Sequence, residues 1–171
     1  MCFSASASFT AGSLLALIGG FSLYQVKNNR YYLVAAIPFL FAIQQFFEGF
    51  LWLSFTNKWL ASYQNFFVYG FLFFAFVLWP IWIPVTIQYI EPNKKQKKYI
   101  STNVVSGLTI GLLTLFSLIF LGADASIKNN HILYEVPISP YFSIPGSLLY
   151  IYATIVPFFL SSIDWTRLFG A

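Results

Sequence analysis

The stretch from Tyr31 to Phe55 reads YYLVAAIPFLFAIQQFFEGFLWLSF and is apolar along almost its whole length. At about 1.5 Å per residue, a helix over this stretch is about 37 Å long, which exceeds the ~30 Å hydrocarbon core of a bilayer. We therefore predict a membrane-crossing helix. Glu48 lies inside it, and an ionisable side chain facing lipid costs at least ~2.5–3.5 kcal/mol on insertion scales. Its carboxyl group is expected to face the protein interior or a wet cavity.

The composition extends this interpretation to the whole chain. Hydrophobic residues make up 58% of the 171 residues and charged residues only 8%, and there are 21 Phe, 11 Tyr and 5 Trp. Soluble domains carry about 25% charged residues. A chain of this size cannot bury so much apolar surface in one core, so lipid must solvate it. We predict an all-α fold, a polytopic transmembrane helix bundle that forms a single domain over 1–171.

Five stretches are long and apolar enough to cross a membrane, at about 8–26, 31–55, 66–90, 100–122 and 147–163. Seven of the nine Lys and Arg residues fall in connections on one side, which the positive-inside rule assigns to the cytoplasm. These seven are Lys27, Arg30, Lys94, Lys95, Lys97, Lys98 and Arg167. The N-terminus, the Lys58 connection and the long Lys128 connection are expected outside, and the C-terminal end is expected in the cytoplasm.

Two spans carry local signals of their geometry. Gly19 and Gly20, with Gly12 and Ala16 one turn apart, offer a small-residue surface for close helix packing in the first span. In the third span, Pro80 and Pro84 each lack an amide donor and crowd the carbonyl one turn back, so a bend or opening is expected there. The fourth span is plain and Leu-rich. The connection between the fourth and fifth spans is the longest and has the most varied side chains.

The second span holds the candidate binding residues Gln44, Gln45, Glu48 and Trp52. Gln44 lies one helical turn before Glu48, and Gln45 lies on the adjoining strip of the same side, near Trp52. With the predicted topology, Glu48 lies in the outer half of the membrane. The arrangement suits an amine, a hydroxyl group or a cation, but interhelical hydrogen bonding that only holds the bundle together is an equal alternative.

Cys2 and His131 are candidates for a nucleophile or a metal ligand, because the predicted topology places both at the outer surface, near the Glu48 end of the second span. A thiolate is a nucleophile and binds soft metals, yet a terminal cysteine is as easily inert. An ordinary loop role is the alternative for His131. A single histidine excludes bis-histidine haem and three-histidine zinc within the chain, and Walker, Rossmann and HExxH patterns are absent. The sequence assigns no cofactor and no metal.

Four blocks of the chain, MCFSASASF, AAIPFLFAIQQFFEGFLWL, LWPIWIPV and LSSIDWTRLFG, resemble a family of bacterial integral membrane proteins of unknown function with an N-terminal MCFSA signature. The resemblance implies a polytopic protein of the bacterial inner membrane with about seven spans, hence more spans than the five found here, and it supplies no catalytic role. The matching positions are Cys2, Ser4, Gln44, Gln45, Glu48, Gly49, Trp79, Pro80, Ser161, Ser162 and Arg167.

Three functions are compatible with these residues. The first is binding or sensing of a small ligand or ion in an outward-facing polar pocket around Glu48, with the third span moving on binding. The second is a structural subunit whose polar side is covered by other membrane subunits or by a second copy. The third is a membrane enzyme that uses Cys2 together with Glu48 or His131. The partners expected are the lipid bilayer and membrane subunits, and not nucleic acid.

Overall fold

The computed structural model describes residues 4–136 and 140–163. The chain is mostly helical. A short 3₁₀ turn, Asn29–Tyr31, precedes α2, and a π-helical turn, Phe73–Leu78, separates α5 from α6. The helices and strands in chain order are α1 Ala5–Gln25, α2 Tyr32–Ala35, α3 Ile37–Ser54, α4 Lys58–Ala61, α5 Gln64–Leu72, α6 Trp79–Ile90, α7 Lys94–Leu121, β1 Asp124–Lys128, β2 His131–Glu135, α8 Pro140–Thr154 and α9 Val156–Leu160.

Four helical stretches of the described chain are long and apolar enough to cross a membrane. They are Ala5–Gln25, Asn29–Ser54, Gln64–Ile90 and Lys94–Leu121. The first three begin and end within a few residues of the predicted spans, whereas the fourth begins six residues earlier, because its helix includes the lysine-rich segment that the prediction treated as a loop. The mostly helical fold is thereby confirmed.

The predicted fifth span corresponds to a shorter apolar helical stretch, Ile144–Leu160. It is interrupted at Ile155, where α8 has ended and α9 has not yet begun. Pro157 has no amide hydrogen for the carbonyl of Ala153, so the helix cannot continue regularly through this point. That this stretch crosses the membrane stays a prediction.

The chain divides into two compact units, of which the first comprises the described residues of 1–76 and 114–138. Here α1 packs closely along α3. A Cβ atom on Gly19 would lie 2.5 Å from the backbone nitrogen of Phe39, and one on Gly12 would lie 3.3 Å from the Cβ of Gln45. Gly20 faces open space. Two of the three predicted glycines therefore form the contact surface, as small residues do where helix backbones approach closely.

An antiparallel β-hairpin completes this unit, and the all-α prediction missed it. β1 and β2 pair with Lys128 opposite His131 and Ala125 opposite Tyr134. Asn129 and Asn130 form the turn with positive φ angles of 50° and 58°. Both angles belong to a type I′ turn, whose twist matches that of paired strands, and asparagine tolerates this left-handed conformation better than most residues. The longest connection is therefore an ordered element.

The second unit comprises the described residues of 77–113 and 139–171. α6 and α7 approach at Gly107 and Gly111, where an added Cβ would overlap the carbonyl oxygen of Pro80 and lie 3.2 Å from that of Val77, respectively. Pro84 cannot donate to Pro80, so the Pro80 carbonyl lacks its helical partner and faces the Gly107 backbone instead. The GLTIG segment, Gly107 to Gly111, is thus a close-packing surface that the prediction of a plain fourth span overlooked.

Pro80, the first of the two prolines in the third span, is accommodated by a change of helix type. The six residues Phe73–Leu78 form π-helical turns directly before Trp79 and Pro80. Pro80 lacks an amide hydrogen and its ring crowds the carbonyl one turn back, and the wider π spacing relieves that crowding. The predicted opening of this span is therefore localised to the turn before Pro80.

Candidate functional site

The candidate site is built from α3, α5 and the hairpin, which all belong to the first unit. At 100° per residue, Gln44, Gln45, Glu48 and Trp52 cover an arc of about 100° on α3. Gln44 and Glu48 are buried, with Glu48 only 1% exposed, and Gln45 and Trp52 are half-buried. The Cβ of Gln45 lies beside Gly12 of α1, so this residue occupies the α1 edge of the arc.

The hairpin contributes Tyr134, which sequence reasoning did not single out as a site residue. Gln64, at the start of α5, donates a hydrogen bond of 3.3 Å from Nε2 to the carbonyl of Ala125, the residue paired with Tyr134. The Tyr134 ring stacks on Phe71, with ring centres 4.7 Å apart and planes 4° from parallel. Since Phe71 lies seven residues, about 10 Å, beyond Gln64 along α5, the phenol points from the hairpin into the unit.

Glu48 and Tyr134 reach a similar depth. Phe47, the residue before Glu48 on α3, packs against Gly70 of α5, where an added Cβ would overlap the Phe47 ring. The Tyr134 ring stacks on Phe71, the residue after Gly70. Burial, followed by the nearby Glu48 carboxylate, raises the pKa of Tyr134 above its usual range. The phenol therefore stays protonated at physiological pH and can both donate and accept a hydrogen bond.

The Tyr134 hydroxyl is buried and has no hydrogen-bond partner among the described residues. A buried hydroxyl without a partner costs about 1–3 kcal/mol, and native proteins avoid this cost with a bound water or ligand. The position of this hydroxyl beside an acid in a membrane-length helix is the property that distinguishes the site from ordinary helix packing.

His131 lies away from this arrangement. Neighbouring residues of a strand face opposite sides, so His131 and Leu133 face away from the side that carries Tyr134. His131 is half-buried and its Nδ1 lies 3.0 Å from the carbonyl oxygen of Asn129 in the turn. It is about 10 Å along the strand from Tyr134. Its contact is local to the hairpin turn.

Cys2 and Arg167 lie outside the described residues, so the proposed thiol site and the basic residue near the C-terminal end are predictions. Within 4–136 and 140–163, no three His, Cys, Asp or Glu side chains come close enough together to hold a metal ion. A pocket that combines Cys2 with Glu48 and His131 therefore stays a prediction.

A cavity of about 290 Å³ lies on the other side of α3 from Glu48. Its walls are apolar and mostly aromatic, formed by Ile43, Phe46, Phe47, Phe50, Phe66 and Phe67. On the helix, Phe46 and Phe50 lie about 160° from Glu48. This cavity has no polar group with which to orient a charged ligand, and it is distinct from the Glu48 site.

Glu91 is a second buried acid, which sequence reasoning did not single out. It follows the last residue of α6 and is 2% exposed. Its Oε2 accepts hydrogen bonds from Ser161 Oγ at 2.7 Å and from the Ser162 amide at 2.9 Å. Its Oε1 accepts from the Asn93 amide at 2.9 Å and from Ser162 Oγ. Glu91 thereby joins the end of α6, the start of α7 and the end of α9.

The hydrogen bonds to Glu91 decide its charge state. Burial acts to raise the pKa of this carboxyl, but the hydrogen bonds from Ser162, Ser161 and Asn93 outweigh burial and hold the pKa below its ordinary value. All four donors favour the ionised form, so the group is a fixed carboxylate at neutral pH. This makes Glu91 a structural junction and not a proton carrier.

These features define a mostly helical protein in which the described residues include four helices long enough to cross a membrane and a buried acid–phenol site. Over residues 1–171 the chain matches the family described as "Family of unknown function (DUF6629)". The protein belongs to this family. No curated protein and no solved structure matches the chain.

Proposed function

We propose that the protein is a multi-pass protein of a bacterial inner membrane, with its N-terminus outside and its hairpin at the outer surface. The four membrane-length helices support this location. The orientation is supported by the concentration of lysine and arginine in the connections on the opposite side from the hairpin. Glu48 then lies in the outer half of the bilayer, about 9 Å below the end of its helix.

Within that membrane, the function we propose is binding of a small cation or a small amine at Glu48, with transport or sensing as its consequence. The observation that carries the proposal is the buried Tyr134 hydroxyl, which lacks a protein partner among the described residues and lies at the depth of Glu48. A bound metal cation would be coordinated by the carboxylate and by the phenol oxygen, and a bound ammonium group would donate hydrogen bonds to the same oxygens.

The charge of the site favours a cation over an anion. A carboxylate repels an anion, and at an effective dielectric constant of about 20 two unit charges 4 Å apart interact by about 4 kcal/mol. The amide of Gln44, one turn from Glu48, offers both a donor and acceptor lone pairs. The set of oxygen atoms from Glu48, Gln44 and Tyr134 suits a hard monovalent cation or an ammonium group.

The test is protection of Glu48 from a carbodiimide that reacts with carboxyl groups in apolar surroundings. The purified full-length chain in detergent is treated with dicyclohexylcarbodiimide, and modification is located by mass spectrometry of peptides. We expect Glu48 to be modified. We expect sodium, potassium or methylammonium chloride to slow the modification at least about threefold relative to choline chloride at equal ionic strength, as a site whose Kd is about half the cation concentration or lower would.

Two variants sharpen this test. Tyr134→Phe removes only the phenol oxygen, and its expected effect is weaker cation protection with unchanged reactivity of Glu48. The exposed Glu135 serves as the matched control, because a carboxyl group in water is expected to stay unmodified in all four salts. The proposal is wrong if Glu48 reacts at the same rate in all four salts, or if Tyr134→Phe is protected as well as the natural chain. The structural-subunit and enzyme functions stay predictions.

A further inference from the structure

Four lysines form one positively charged surface at the start of α7. We call Lys94, Lys95, Lys97 and Lys98 the lysine turn, and all four are exposed. At 100° per residue they cover an arc of about 160°. The buried residues Ile100 and Asn103 lie on the opposite side of the helix. The lysine turn therefore faces away from the protein along its whole arc.

This surface has no counter-charge of its own. None of the four ammonium groups forms an ion pair within the part of the chain that the structure describes. Glu91 is the acid closest in sequence, but it is buried and both its oxygens already accept hydrogen bonds. Cations at a helix N-terminus also oppose the helix dipole, so their position is unfavourable without an external anion.

The length of α7 places the lysine turn at the level of lipid headgroups. Its 28 residues span about 42 Å, about 12 Å more than the hydrocarbon core. Tyr99 follows the lysine turn directly and Tyr89 lies near the end of α6, and both are exposed. Exposed tyrosines of this kind concentrate at the boundary between hydrocarbon and headgroups. In a bilayer crossed as proposed above, the lysines, one turn further out, would lie at the level of the phosphates.

We propose that the lysine turn binds the headgroups of anionic phospholipids in the cytoplasmic leaflet. The proposal rests on the membrane location given above but is independent of any ligand at Glu48. Basic residues close to an anionic membrane surface each add to the affinity, and four on one arc can engage several headgroups at once. A zwitterionic lipid offers no net charge to the same surface.

The experiment measures stabilisation of the purified full-length chain in detergent by added lipid, from tryptophan fluorescence on heating. Dioleoylphosphatidylglycerol is expected to raise the melting temperature, while dioleoylphosphatidylcholine at the same concentration has little effect. Replacing all four lysines by glutamine is expected to weaken the apparent affinity for phosphatidylglycerol at least about tenfold. Replacing all four by arginine is expected to preserve it.

Lys58→Gln combined with Lys128→Gln is the matched control, because it removes positive charge elsewhere and is expected to leave the lipid effect unchanged. If the fourfold glutamine variant does not fold, Lys94→Gln with Lys98→Gln provides the test, with a smaller weakening expected. The proposal is overturned if the glutamine variants respond to phosphatidylglycerol like the natural chain, or if phosphatidylcholine stabilises equally. It is also overturned if inorganic phosphate at the same concentration raises the melting temperature as much as phosphatidylglycerol does. That result would indicate that the lysine turn binds a free anion.

Discussion

Replacing Gly107 by alanine is expected to destabilise the protein by about 1–3 kcal/mol, although alanine is the better helix former. The added methyl group would overlap the carbonyl oxygen of Pro80, which belongs to the backbone of α6 and cannot rotate away. Inserting atoms into a packed contact costs about 1–3 kcal/mol, whereas glycine to alanine in an open helix gains up to about 1 kcal/mol. Thermal unfolding of the purified chain in detergent measures the effect.

Gly20→Ala is the matched control for this prediction. Gly20 also lies inside a membrane-length helix, but a Cβ there meets nothing within 4 Å. Its replacement is expected to leave the melting temperature unchanged or to raise it. Equal stabilisation by the two alanine variants would contradict the close approach of α6 and α7 at Gly107.

Replacing Glu91 by alanine is expected to destabilise the protein by about 3 kcal/mol. The change leaves two serine hydroxyls and two backbone amides without their acceptor, and hydrogen bonds to a charged group contribute about 1.5–3 kcal/mol each without being additive. Unfolding in increasing sodium dodecyl sulfate measures the loss. Glu135→Ala is the control, because that carboxyl is exposed, and equal losses for both variants would contradict the junction at Glu91.

The same junction predicts a pH dependence with a definite sign. The pKa of Glu91 is lower in the folded chain than its ordinary value of 4.5. Its contribution to stability is therefore fully present above pH 4.5 and is lost as the pH falls through the lower folded value. Glu91→Gln removes the titrating group, so the variant is expected to lose less stability than the natural chain as the pH falls below 4.5. A melting temperature that falls equally in both proteins below pH 4.5 would contradict the prediction.

Much of the helical fold follows from the sequence because lipid imposes a simple rule, that a spanning segment must be long, apolar and hydrogen-bonded within itself. For this reason the predicted first span, 8–26, differs from α1 by only three residues at its start and one at its end. The hairpin escaped prediction because its strands are five residues long and its turn is Asn129-Asn130. The SIKNNHI segment nevertheless carries a signal, since asparagine tolerates the positive φ angles that both central residues of a type I′ turn require.

The sequence selects Glu48 as a candidate because an acid is rare inside an apolar helix. Its burial is observed, and its role as a binding residue stays a prediction. Tyr134 was not found, because its position beside Glu48 depends on the hairpin folding back on α5. Glu91 resembles an ordinary loop residue in the sequence, and its partner Ser161 is 70 residues away. The spacing of Gly107 and Gly111 can be read from the sequence. The contact of Gly107 with the Pro80 carbonyl cannot, because that carbonyl lacks its helical partner only on account of Pro84 in α6.

The central claim is that the Glu48 carboxyl group and the Tyr134 hydroxyl share one buried site, and a double-mutant cycle tests it most directly. Free energies of unfolding in detergent are measured for the natural chain, Glu48→Gln, Tyr134→Phe and the double variant. Groups in contact, or linked through one bound water or ion, show coupling of about 0.5–3 kcal/mol. Tyr63→Phe replaces Tyr134→Phe in the control cycle, because Tyr63 is 60% exposed. We predict coupling of at least about 0.5 kcal/mol for the first pair only, and additive effects for Glu48 and Tyr134 would contradict the shared site.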